Sequence, residues 1–184
     1  MKFIRGILLA LAIISSWLAV LVVAAPVHAF VFGRVPADGA LNVNERIAHD
    51  RNISSYLLTG NEQDLNALQP IEVIHMRDVR QLYLWLVCMT VLFLALMIVT
   101  RAWQGAGFSV GLLAIVCLVS LAGFQFFFRL FHELAYSNDA WQLDPAQFLL
   151  TQIYPLGFFA WMWGIVGLCS LLTLFVLWQR ARRA

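Results

Sequence analysis

The sequence predicts an all-α membrane protein with four transmembrane helices, both termini cytoplasmic, and a small extracytoplasmic subdomain between helices 1 and 2. Three observations carry that expectation. The 184-residue chain is 62% hydrophobic and only 12% charged, where a soluble domain carries about 25% charged residues. Its apolar residues gather in four segments long enough to cross a bilayer, which takes about 20 residues each. Its charges sort by sign along the chain. At this length a single membrane domain over residues 1–184 is expected.

The four spans run from about 6 to 25, 79 to 100, 108 to 131 and 154 to 178. The first begins with Lys2 and Arg5 and is followed by Val27-His28-Ala29, which has the look of a signal-peptidase site. Its apolar run exceeds the usual signal core of about 7–15 residues, so a retained anchor is expected, with cleavage as the alternative. Around the N-terminus, Arg101 and Arg180-Ala181-Arg182-Arg183 the flanks are basic only. All ten acidic residues fall in the two remaining loops, 26–78 and 132–153. Basic flanks stay cytoplasmic, so both acidic loops are expected outside.

In the first outer loop, Ala29 to Val35 alternates weakly and is expected as a short strand. Asn42 or Asn44 caps a helix running to Leu58, stopped by Thr59-Gly60. Val43, Ile47, Ile53, Leu57 and Leu58 give it an apolar side, which suits either the membrane surface or packing on the bundle. Pro70 interrupts the chain before Glu72. In the last span Gly157, Ala160, Gly164 and Gly167 form a stripe for close helix contact, and Gly107 and Gly111 begin a similar one on the third.

The net charge of +2, with no cluster of Lys and Arg interleaved with aromatics, excludes a nucleic-acid partner. Cys88, Cys117 and Cys169 all lie in apolar runs, where a thiol is a small buried hydrophobe rather than a disulfide or catalytic partner.

Ionisable groups at membrane depth default to a functional reading. At the end of the third span Gln125, Arg129, His132 and Tyr136 share one helical face. That polar stripe is expected to face the bundle or a water-filled cleft, and the neighbouring phenylalanines lipid. At the start of the second span Glu72, His75 and Asp78 follow three-residue steps, so either carboxylate can accept a hydrogen bond from the His75 imidazole. Helix direction brings His75 and His132 to the same outer level. A lone interfacial histidine is ordinarily an amphipathic anchor, and His28 and His49 read that way. Arg129 with Glu133 reads equally as a snorkelling ion pair, and Trp141 and Tyr154 as an aromatic belt.

Two stretches then carry a family resemblance. One is Glu72 to Val79, EVIHMRDV. The other is Phe131 to Pro145, FHELAYSNDAWQLDP, completed by Tyr154-Pro155. The chain resembles the lipoprotein intramolecular transacylase (Lit) family of bacterial multi-pass membrane proteins. The resemblance implies an acyltransferase of the bacterial cytoplasmic (inner) membrane, active at the outer leaflet. It would move the sn-2 acyl chain of a diacylglyceryl-modified N-terminal cysteine to that cysteine's own α-amine, giving a lyso-form lipoprotein. Its partners would be the diacylglyceryl lipoprotein substrate and membrane lipid, with the protein a monomer. No cofactor and no metal is expected, because ester to amide is downhill.

On that reading His132 is the general base and His75 the acid or oxyanion donor, with the two roles exchangeable. Glu133 and Asp78 orient the imidazoles, Arg129 stabilises negative charge, and Glu72, Asn138 and Trp141 support the site or bind substrate. The rivals are a haem protein using the two histidines as axial ligands, a lipid esterase on the same histidines, a covalent mechanism through Ser137, and a non-enzymatic interaction protein. Reporter fusions at Gly60 and Gln142 are expected to read as external; a cytoplasmic signal from either overturns the topology.

Overall fold

The computed structural model describes residues 2–183. Among the described residues the chain is helical throughout, with no strand. The helices group into two compact units: Met1–Leu21, Trp85–Gly123 and Trp163–Ala184 form one, and Val22–Leu84 and Phe124–Met162 the other. Four helices are long and apolar enough to cross a membrane: Lys2–Leu21, Pro70–Thr100, Ala102–Ala122 and Leu156–Arg183.

The first unit is built on α1 (Lys2–Leu21) and α5 (Ala106–Ala122) with the adjoining parts of α4 (Pro70–Thr100) and α8 (Leu156–Arg183). Its core packs Leu9 and Ile13 of α1 against Ala102, Ala106, Leu113, Cys117 and Leu174. Glycine permits the tightest contact. A Cβ on Gly105 would lie 2.4 Å from the Gly6 nitrogen, so a side chain there forces the backbones apart. Ser109 Oγ donates to the Gly6 carbonyl at 2.7 Å, and Trp17 Nε1 to Thr173 Oγ1 at 3.1 Å. The expected glycine stripe is realised in part: Gly167 lies against Cys117, whereas Gly164 and Gly111 face open space.

The second unit holds α2 (Ala25–Phe32), α3 (Val43–Thr59), the first turns of α4, α6 (Phe124–Ala135), α7 (Leu149–Ile153) and the first turns of α8. Four expectations need correction. The strand expected over Ala29–Val35 is instead covered by α2 to Phe32. A lone strand leaves its peptide groups unpaired, whereas a helix satisfies them within the segment. The first span ends at Leu21 rather than near residue 25, and the helix restarts with Pro26 in its first turn. Proline has no N–H to continue a helical ladder but suits a helix start. For the same reason the helix that holds the second span, expected from Val79, already begins at Pro70. The third expected span, 108–131, breaks at Gly123 into α5 and α6.

The α3 expectation stands. Asn42 accepts from the Asn44 and Glu45 amides, Glu45 returns a bond to the Asn42 amide, and Gly60 terminates the helix at φ 79°. A left-handed cap of that kind favours glycine. On its apolar side Ile53 and Leu57 are buried, while Val43 and Leu58 are exposed.

Arg46 on α3 is fully buried and ties separate segments together. Its Nε donates to the Ile153 carbonyl at 3.0 Å and its Nη1 to the Val35 carbonyl at 2.6 Å, with the guanidinium over the Phe32 ring. Arg46→Met leaves those carbonyls unsatisfied. It is expected to cost about 3 kcal/mol and to lower the melting temperature of the detergent-purified protein by on the order of 10 °C; differential scanning fluorimetry measures it.

Candidate active site

Proline at the start of α4 winds Glu72, His75 and Asp78 into its first turns, and α6 supplies His132 within the same unit. The two imidazoles converge: ring centroids are 6.1 Å apart with planes inclined at 32°. Both histidines are buried. Tyr136, just beyond α6, sets its ring edge against His75 at 5.1 Å and also contacts His132 at 5.4 Å. Phe128, Phe131 and Trp141 complete an aromatic wall around His132, at 4.2, 5.2 and 5.2 Å.

The imidazoles differ in their hydrogen bonding. His132 Nδ1 lies 2.7 Å from the Phe128 carbonyl oxygen. A carbonyl only accepts, so Nδ1 carries the proton and Nε2 keeps its lone pair. Burial holds the His132 pKa below its ordinary value, partly offset by that backbone bond. His75 Nδ1 is buried with no hydrogen-bond partner, an arrangement that native structures rarely leave without a purpose. Burial, helped by Asp78, pushes the Tyr136 phenol up to about 12, so its hydroxyl stays a donor at neutral pH.

The carboxylates expected beside His75 are engaged elsewhere. Glu72, fully buried, accepts from the Gln69 amide at 2.7 Å and from the Leu150 amide at 2.6 Å, so it caps α4 and fixes α7 at once. Asp78 accepts from Asn138 Nδ2 at 2.8 Å, and Asn138 Oδ1 in turn accepts from the Ala140 amide. This pair anchors the segment that presents Trp141 to His132. A carboxylate is worth more to an orphan helix-end amide than to an imidazole already held by packing.

Arg129 and Glu133 do not reach the histidines. Both are exposed and face each other at 3.8 Å across one helical turn, a pair of little energetic consequence. The expected polar stripe divides in the same way. Phe124 and Phe128 share the inward side of α6 with His132, while Gln125 and Arg129 are exposed along with Phe126, Phe127 and Phe131. Ser137 is exposed.

His28, expected as an interfacial anchor, belongs to the buried interior of the second unit instead. His28 is buried, its Nδ1 2.7 Å from Asp50 Oδ1, and the Tyr154 hydroxyl donates to the same oxygen at 2.7 Å. A signal was available: Arg46, Asp50, Ile53 and Leu57 recur at helical spacing, so two charges share the face of two core residues.

The family model of the lipoprotein intramolecular transacylase Lit matches residues 3–159. Among solved structures, the membrane-integral lipoprotein intramolecular transacylase Lit from Bacillus cereus is similar over 99% of this chain and 93% of its own, with a TM-score of 0.77 at 18% identity. At that identity the likeness is one of fold. No curated protein matches.

His132 is expected to titrate below the ordinary histidine value of about 6.5. The folded state then resists a proton that the unfolded chain accepts, so stability is full above that value and falls as pH drops below it. Imidazole nitrogen shifts in a pH titration by NMR measure it, and a midpoint at or above 6.5 contradicts the buried setting.

Proposed function

The chain belongs to the lipoprotein intramolecular transacylase (Lit) family, and we propose that it moves the sn-2 acyl chain of a diacylglyceryl-cysteine to the α-amine of that same cysteine. The observation that carries this reading is the pairing of a buried imidazole with a free Nε2, His132, and a buried imidazole with an uncommitted Nδ1, His75.

The chemistry needs a base, a donor to the developing oxyanion, a proton for the leaving oxygen and a site that excludes water. The amine nitrogen attacks the ester carbonyl carbon. His132 Nε2 takes the proton the nitrogen loses, and a new C–N bond forms. The tetrahedral oxyanion accepts a hydrogen bond from His75, and from the Tyr136 hydroxyl where the substrate approaches its edge. The C–O bond to the glyceryl carbon's oxygen breaks, and protonated His132 returns the proton to that oxygen. The product is an N-acyl, S-monoacylglyceryl cysteine, with atoms conserved. Nucleophile and electrophile sit on one molecule, so much of the barrier reduction comes from holding them together.

A burial-lowered pKa keeps His132 in its basic form at neutral pH, as a general base requires. Aromatic side chains around it lower the local dielectric and strengthen each hydrogen bond made there. Glu72, Asp78 and Asn138 act at one remove, by fixing the segments that carry His75 and Trp141. Positive-only flanks support a cytoplasmic-membrane protein with this site at the outer leaflet, where a lipoprotein's diacylglyceryl group lies.

The detergent-purified protein, mixed with a synthetic diacylglyceryl-cysteine lipopeptide, is expected to yield a product of unchanged mass. Its fragment ions should place one acyl group on the cysteine nitrogen and leave one on the glycerol. His132→Ala is expected to lower the rate about 100-fold or more while eluting as folded protein on size exclusion. Retained activity in that variant refutes the base assignment, and loss of one acyl mass identifies an esterase instead.

A further inference from the structure

The unit formed by Met1–Leu21, Trp85–Gly123 and Trp163–Ala184 contains six basic residues, Lys2, Arg5, Arg101, Arg180, Arg182 and Arg183, and not one acidic residue. Among the described residues no carboxylate pairs with any of the six. An excess of cations so complete leaves positive potential with no internal counter-charge.

Two of these cations line a cavity of about 290 Å³, together with Trp103, Gln104, Phe108 and Trp178. That is the lower end of the size range for small-ligand sites. Its wall is a built arrangement. The Arg182 guanidinium lies over the Trp178 ring at 5.0 Å, and Gln104 accepts a hydrogen bond from Arg5, which holds a third cation beside the cavity. Gly107 has no side chain where a Cβ would meet Trp178 Nε1 at 3.1 Å, so the indole N–H lies close against the backbone.

The surroundings identify the class of ligand. Phe3 and Ile4 are more than half exposed, Phe108 is exposed, and the Phe3 and Phe108 rings contact each other at 4.8 Å. Cations and two tryptophans lining one cavity, with bare apolar side chains next to them, match a headgroup phosphate with its acyl chains alongside. We propose that this cavity binds the phosphate of an anionic phospholipid headgroup. A free phosphate shares the charge but makes no use of the apolar flank. Basic ends of spans remain cytoplasmic, so the lipid is one of the inner leaflet, and the site is independent of the transacylase reading.

Native mass spectrometry of the full chain tests this, after exchange into mixed micelles holding equal phosphatidylglycerol and phosphatidylcholine of matched chains. One phosphatidylglycerol is expected to stay bound per protein, preferred about tenfold or more. Lys2→Gln/Arg182→Gln should abolish the preference. Both side chains are exposed, and an unchanged melting temperature shows that the variant folds. Arg180→Gln/Arg183→Gln makes the same change of charge outside the lining and should keep the preference. Equal retention of the two lipids overturns the site, as does an equal loss in the control variant, which points to a diffuse field. Displacement of the lipid by excess inorganic phosphate overturns the lipid assignment.

Discussion

Peptide groups moved from water into hydrocarbon keep their need for hydrogen bonds but lose the solvent that met it. In a chain that is 62% hydrophobic, that need governs the local structure. Helices meet it within each segment, and every described element longer than a turn is a helix. The positions where helices start and stop then become the costly points, because each end leaves unpaired amides and carbonyls. Most of the specific side-chain chemistry in this protein is found there. Asn42 and Glu45 close the start of α3, Arg46 collects the last carbonyl of α7 and one just past the end of α2, and Glu72 serves the starts of α4 and α7 together.

That demand explains why the candidate site differs from the simplest reading of its motifs. A carboxylate three residues from a histidine invites an acid–imidazole pair. Here Glu72 and Asp78 are consumed in building the walls, and the imidazoles are left to a backbone carbonyl and to aromatic rings. The result is a histidine pair in a dry setting with little opposing charge. Such a setting keeps a base neutral and makes each remaining donor count.

Much of the fold was legible. Apolar segment lengths located four spanning helices, and the Asn42 to Gly60 signals located α3 nearly to the residue. The convergence of His75 and His132 followed from helix direction alone. Proline misled in one respect: Pro70 reads as an interruption but acts as a helix start, which moved the beginning of α4. The Ala29–Val35 alternation was too short to outweigh the lack of a partner strand. On α6, phenylalanine and polar residues alternate so closely that periodicity favoured the wrong face for Gln125 and Arg129.

By itself the sequence determined the number of spans, the segregation of charge and the two histidines, because these depend on local composition and on spacings of three or four residues. Only the tertiary structure decided which groups each polar side chain meets. Asp50 finds His28 and Tyr154, Glu72 finds the Leu150 amide, and Asn138 finds Asp78. Each of those bonds joins residues far apart in the chain, where a carboxylate has many equivalent donors within reach of its chemistry. Packing selects one, since a buried polar group must be paired and only the folded backbone fixes which partner stands close enough.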